Sequence, residues 1–154
     1  MCLFLAGAVQ TPVDAFKKDV GSLQSEIEKL VNDTGARTML APRAGFVEGY
    51  GVVVSLEVAL EPPRNLLFPG TSSGGAASTD VKKSMSDRQK TIKDQLTSLM
   101  KRSVVSMESI GVESALTVVI HLLNTNPGLV PDLPRQLVFT VKKASPQMVS
   151  YKEI

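Results

Sequence analysis

The residues able to do chemistry are few and scattered. The 154-residue chain holds one histidine, His121, and one cysteine, Cys2. A hydrolytic triad needs a histidine between nucleophile and carboxylate, and a histidine metal site needs several, so neither chemistry is expected. His121 falls in an alternating segment, where a structural role with satisfied nitrogens is the ordinary reading. Paired with Glu57, it would make an interface sensitive to pH. Cys2 has no base near it in the sequence and cannot form an internal disulfide. That argues against nucleophilic catalysis and leaves the redox compartment open. Glu48, Glu57 and Glu61 share one stretch, but no paired acid/base geometry follows from their spacing. No catalytic, cofactor-binding or metal-ligating residue is assigned.

Two glycine-rich stretches invite a phosphate-binding reading. Gly45, Gly49 and Gly51 precede an alternating segment, whereas phosphate loops follow a strand and open a helix, whose N-terminal amides do the binding. These glycines read as a bulge or tight turn. Gly70 and Gly75 have the Walker-type gap ahead of a helix, but Ala76 and Ala77 stand where the lysine and the Ser/Thr belong. The stretch reads as a flexible linker. Asn32-Asp33-Thr34 is a glycosylation sequon, relevant only in a eukaryotic secretory setting.

The elements that must position these residues are clearer. In residues 45–60, Val52, Val54, Leu56, Val58 and Leu60 alternate with Val53, Ser55, Glu57 and Ala59, which is a strand with one buried face. Before it, Thr11-Pro12 opens a helix with the apolar stripe Phe16, Val20, Leu23, Ile27 and Leu30, closed near Gly35. Residues 36–42 read as a short strand and Pro42-Arg43-Ala44-Gly45 as a turn. After Pro62-Pro63, residues 62–79 form a flexible loop that contains the apolar knot Leu66, Leu67 and Phe68.

A second helix is expected over residues 80–110, with Met85, Ile92, Leu96, Leu99, Met107 and Ile110 on one stripe and Ser103 completing its spacing. Its length of about 40–45 Å exceeds what one strand covers, so its first turns are expected to project. Strands over 112–123 and 136–142 follow, and 144–154 is a weakly patterned tail or short edge strand.

A hydrophobic fraction of 43% and a charged fraction of 21% suit one soluble-type domain over residues 11–143. The expected fold is α+β, a two-layer sandwich with two helices on one face of a mainly antiparallel sheet, either ferredoxin-like or a permuted αββαββ. Residues 1–10 carry the choice. As a first strand, Cys2 to Val9 completes the ferredoxin-like order. As a signal remnant, the apolar run before Ala6-Gly7-Ala8 implies a periplasmic or secreted protein, and otherwise a cytoplasmic one.

The second sheet face is too apolar for comfortable exposure and too polar for a core. Val53, Ser55, Glu57, Val119 and His121 on that face, with Leu66, Leu67 and Phe68 in the loop, are the candidate interaction residues. The expected function is a non-enzymatic, self-associating interaction domain, exported to the cell envelope if the signal reading holds. The alternative is a small-molecule binding or regulatory domain of ferredoxin-like type. A homo-oligomer or another protein is the expected partner. No run approaches the ~18 apolar residues of a membrane span. Nucleic acid is not expected, because the net charge is only +2 and Lys82, Lys83, Arg88, Lys90, Lys93, Lys101 and Arg102 are spread around a helix. The aromatics that could stack on bases, Tyr50 and Phe139, are assigned to the core face.

Overall fold

The computed structural model describes residues 12–60, 76–125, 127–128 and 130–154. The signal or first-strand segment, the Leu66–Phe68 knot and the Gly70–Gly75 linker lie outside the described residues.

Helix α1 (Pro12–Asp33) starts at the proline, whose fixed φ suits a first helical position. Val20, Leu23, Ile27 and Val31 are buried along it, with Phe16 and Leu30 half-buried beside them. The helix closes where Thr34 Oγ1 donates to the Val31 carbonyl at 2.6 Å and Gly35 takes a left-handed φ of 76°. Strand β1 (Arg37–Val47) then runs through Pro42 and does not turn there. Register shifts on both sides of Leu40 bulge the strand, and a proline is tolerated at a bulge of an edge strand because no ladder donor is needed. The Pro42 carbonyl is taken up instead by Gln24 Nε2 at 2.7 Å. The turn lies later, at Glu48-Gly49-Tyr50, and leads into β2 (Gly51–Ala59).

Helix α2 (Ala76–Ser106) begins four residues earlier than the sequence suggested, since Ala-Ala-Ser-Thr costs a helix little. It also ends earlier. Met107 and Ile110 are buried but not helical, and the Lys143 ammonium donates to both of their carbonyls, at 2.5 and 3.0 Å. A cation there satisfies oxygens that the end of the helix leaves unpaired. Met100 and Val104 are buried and Ser103 is half-buried, so the stripe drifts by one position as 3.6-residue periodicity requires. The first turns do not all project. Met85 is buried, Val81 packs against the core, and Arg88 Nη1 donates to the Leu60 carbonyl at 2.5 Å.

Strands β3 (Ala115–Leu123), β4 (Gln136–Lys142) and β5 (Val149–Glu153) complete the sheet. The strand order is β1-β2-β3-β4-β5, with β2 and β3 parallel and the other three pairs antiparallel. The fold is thus α+β, with two helices over one face of a five-stranded, mixed, open sheet. It departs from the ferredoxin-like expectation. A ferredoxin-like sheet splits its βαβ units with an intervening strand, whereas here β2 and β3 pair directly along nine residues. The segment read as a tail or short edge strand supplies the edge strand β5, so the chain order is αββαβββ.

One cluster fills the space between the layers. Val52, Val54, Leu56, Val58, Leu60, Leu116, Val118, Ile120, Leu122, Leu137, Phe139 and Val141 are all buried against the helix stripes. Strand β5 is clamped onto this layer through Tyr151. Its ring lies 4.9 Å from Phe139, the Lys93 ammonium stands 3.8 Å above it, and its hydroxyl donates to Glu153, which also accepts from Gln89 at 3.0 Å. Burial first, and then the Glu153 carboxylate, push this phenol from 10.0 up to about 12.

Two expectations follow. Gly51 has φ 133°, and a Cβ built there would stand 2.1 Å from the Ala115 carbonyl oxygen. Gly51→Ala should therefore destabilise the protein by about 3 kcal/mol or more in urea unfolding, because backbone cannot yield as a side chain can. Gly45→Ala, where nothing lies within 4 Å, should stay within about 0.5 kcal/mol of the parent. For Tyr151 the neutral phenol is the native form. Its stabilisation is whole below pH ~10 and is lost as pH rises through about 12. In a Tyr50→Phe chain, which keeps Tyr151 as the single tyrosine, phenolate absorbance should rise near pH 12 in the native state and near 10 in guanidinium; native ionisation near 10 would contradict the clamp.

Candidate functional site

Period two decides which side chains reach the face turned away from the helices. On β2 these are Val53, Ser55 and Glu57, and on β3 they are Thr117, Val119 and His121. The parallel register sets them side by side: Val53 with Thr117, Ser55 with Val119, and Glu57 with His121. The antiparallel partner β4 continues each row with Thr140, Val138 and Gln136, and β5 adds Ser150 and Lys152. Five of the eight residues expected at an interaction surface are thus gathered on one face. Leu66, Leu67 and Phe68 lie outside the described residues.

Three kinds of contact organise this face. The first is aliphatic. Val53, Val119 and Val138 are half-buried in its middle, shielded by their own neighbours but not covered by any described element. The second is a row of hydroxyls. Tyr50 Oη lies 2.6 Å from Thr117 Oγ1, which lies 2.9 Å from Thr140 Oγ1. Thr117 is 6% exposed, so its hydroxyl is spent on these two neighbours. The third is the histidine. His121 Nδ1 lies 3.4 Å from Gln136 Nε2, the hydrogen bond of the tautomer that carries its proton on Nε2. The register sets Glu57 directly opposite it on β2.

Tyr50 was expected on the core face, and the structure corrects this. It sits in the turn before β2 at 41% exposure, and its hydroxyl reaches the open face. Phe139 is buried in the core as expected. Charges that sequence reading did not bring here also appear. Because β1 extends to Val47, the register places Arg37 opposite Ala59 and Arg43 opposite Ser55, with Leu40 opposite Glu57. Lys142 pairs with Ala115 and Lys152 with Val138. All four cations are exposed; Arg37, Arg43 and Lys152 stand on the two edge strands, and Lys142 at the end of β4. Alternation in β4 and β5 was the only sequence signal that could have placed the lysines, and the bulged register of β1 had none.

The described clefts lie elsewhere. One, about 540 Å³, runs between α1 and α2 and is walled by Glu26, Lys29, Asp33, Asp94 and Arg102 over Leu30 and Leu99. The Arg102–Glu26 ion pair at 2.9 Å bridges it. Both partners are well exposed, so the pair contributes little to stability. Among the described residues no group of three or more metal-ligating side chains converges, and no helix is long and apolar enough to cross a membrane. Comparison with protein-family models, with curated proteins and with solved structures finds no match for the chain.

The hydroxyl row makes its own prediction. Thr117→Val keeps the shape of the side chain but removes both hydrogen bonds at the centre of the row. It should cost about 1–2 kcal/mol in urea unfolding, and Thr140→Val, which removes one, about half as much. Equal and negligible losses would mean that water replaces these bonds freely.

Proposed function

We propose that this chain is a non-enzymatic interaction domain whose working surface is the sheet face opposite the helices. The observation that carries the reading is the asymmetry of the sheet. The helix-side residues of the three central strands are buried, while Val53, Val119 and Val138 on the other side have no described layer over them. A face of aliphatic and hydroxyl side chains offers contact area and hydrogen bonds, which suits recognition more than bond-making.

Two occupants come into question, a second copy or a different protein. Charge weighs between them. A two-fold along the strands lays β1 of one copy over β5 of the other, bringing Arg43 against Lys152. A two-fold across the strands, through the Val119 row, lays Arg43 against Arg43 and Lys152 against Lys152. Both aligned stackings oppose like charges, which disfavours them. The charge pattern therefore favours a different protein over the self-association expected from the alternation of the sheet residues.

Light scattering after size exclusion tests this. The parent chain should run at its monomer mass of 16.5 kDa at micromolar concentration. Hydroxyl-radical footprinting should label Val119 and Val138 above the level of Val118. A double mass that Val119→Lys returns to a single one would assign the face to a second copy instead.

A further inference from the structure

The open face has a size and a charge pattern that select among protein partners. Strands β2 and β3 are nine residues long, about 30 Å, and the five strands span roughly 19 Å from β1 to β5. A helix with its side chains is about 10–12 Å wide, and 18–20 residues of it cover about 27–30 Å. Laid along β3, such a helix covers the width of β2 to β4, where Val53, Val119 and Val138 stand. It leaves the margins free. On one margin are Arg37 and Arg43 and on the other Lys152, while Lys142 stands at the end of β4, all exposed. Against these four cations the register places one carboxylate on the strands of this face, Glu57.

We propose that the open sheet face receives an amphipathic helix of a partner protein, apolar along the stripe that meets the three valines and acidic along both flanks. The proposal rests on the reading of this face as the working surface and adds the partner's chemistry. The helix would complete a third layer, as α1 and α2 complete the one opposite. The apolar stripe supplies the buried area. The flanking carboxylates meet cations that have no described ion-pair partner, so they contribute register and association rate more than raw affinity.

The test uses the full chain and a fluorescent synthetic peptide of about 18 residues, a length set by the helix rise. Leucines form its stripe and glutamates its flanks. A second peptide has lysines in place of the glutamates, and a single-stranded RNA of similar charge is a third probe. The acidic peptide should bind, with affinity falling about tenfold or more between roughly 50 and 500 mM salt. The lysine peptide should not bind. Val119→Lys should abolish binding, and Arg43→Glu with Lys152→Glu should reverse the preference between the peptides, with circular dichroism confirming that both variants fold. Binding of both peptides alike, lost in Val119→Lys, would keep the face as an interaction surface and overturn the acidic partner. Binding unaffected by Val119→Lys would overturn both readings. RNA binding tighter than that of the acidic peptide, and lost with the charge-reversed margins, would overturn the helix in favour of a nucleic acid.

Discussion

Strands β2 and β3 lie so close at their first residues that no side chain fits between them. Gly51 sits against the Ala115 backbone, and the Ala115 amide donates to the Tyr50 carbonyl at 2.8 Å. From that point nine consecutive residues of each strand pair in parallel. Everything else hangs on this register. It brings Val52, Val54, Leu56 and Val58 level with Leu116, Val118, Ile120 and Leu122, so that one flat apolar surface faces the helices. A slip of one residue would carry one strand's set to the opposite side and break that surface.

The same pairing explains why the sheet is mixed. A parallel neighbour needs a crossover, and α2 provides it by lying over β3, β4 and β5 after leaving β2. The other connections are short, and they make antiparallel pairs. Helix α1 meanwhile covers the β1 side, where Phe16 meets Phe46 edge-on at 6.1 Å. With both helices drawn to one apolar surface, nothing in the described chain is left to cover the other. The open face is therefore a consequence of helix number and placement among the described elements, and its half-apolar character is what the proposed partner surface rests on.

Alternating hydrophobicity and two helical stripes were legible in the sequence because they depend on local periodicity alone. They identified both helices, β2, β3 and β4, the buried face and the two-layer α+β class. The placement of Val53, Ser55, Glu57, Val119 and His121 on the opposite face was legible on the same grounds, since a buried face implies an opposite one. Misreadings fell where long-range contacts override local signals. Pro42 reads as a turn, but at the bulged edge of a sheet it is a strand residue. Met107 and Ile110 continue a helical spacing, but Lys143 from beyond β4 takes their carbonyls and the helix stops. Residues 144–154 carry little pattern, and β5 exists because Tyr151 packs on Phe139 and under Lys93.

By itself, then, the sequence determined which side of each strongly patterned element is apolar, because that property follows from the order of side chains along one chain. It could not determine which strands are neighbours. Strand order depends on pairing between residues far apart in the chain, and several orders bury the same apolar faces equally well. Only the tertiary structure decided that β2 meets β3 without an intervening strand, against a ferredoxin-like order. It also decided that Arg43 and Lys152 flank one row of valines and serine across the open face. That row, and the charges at its two ends, exist only once five separate segments lie in register.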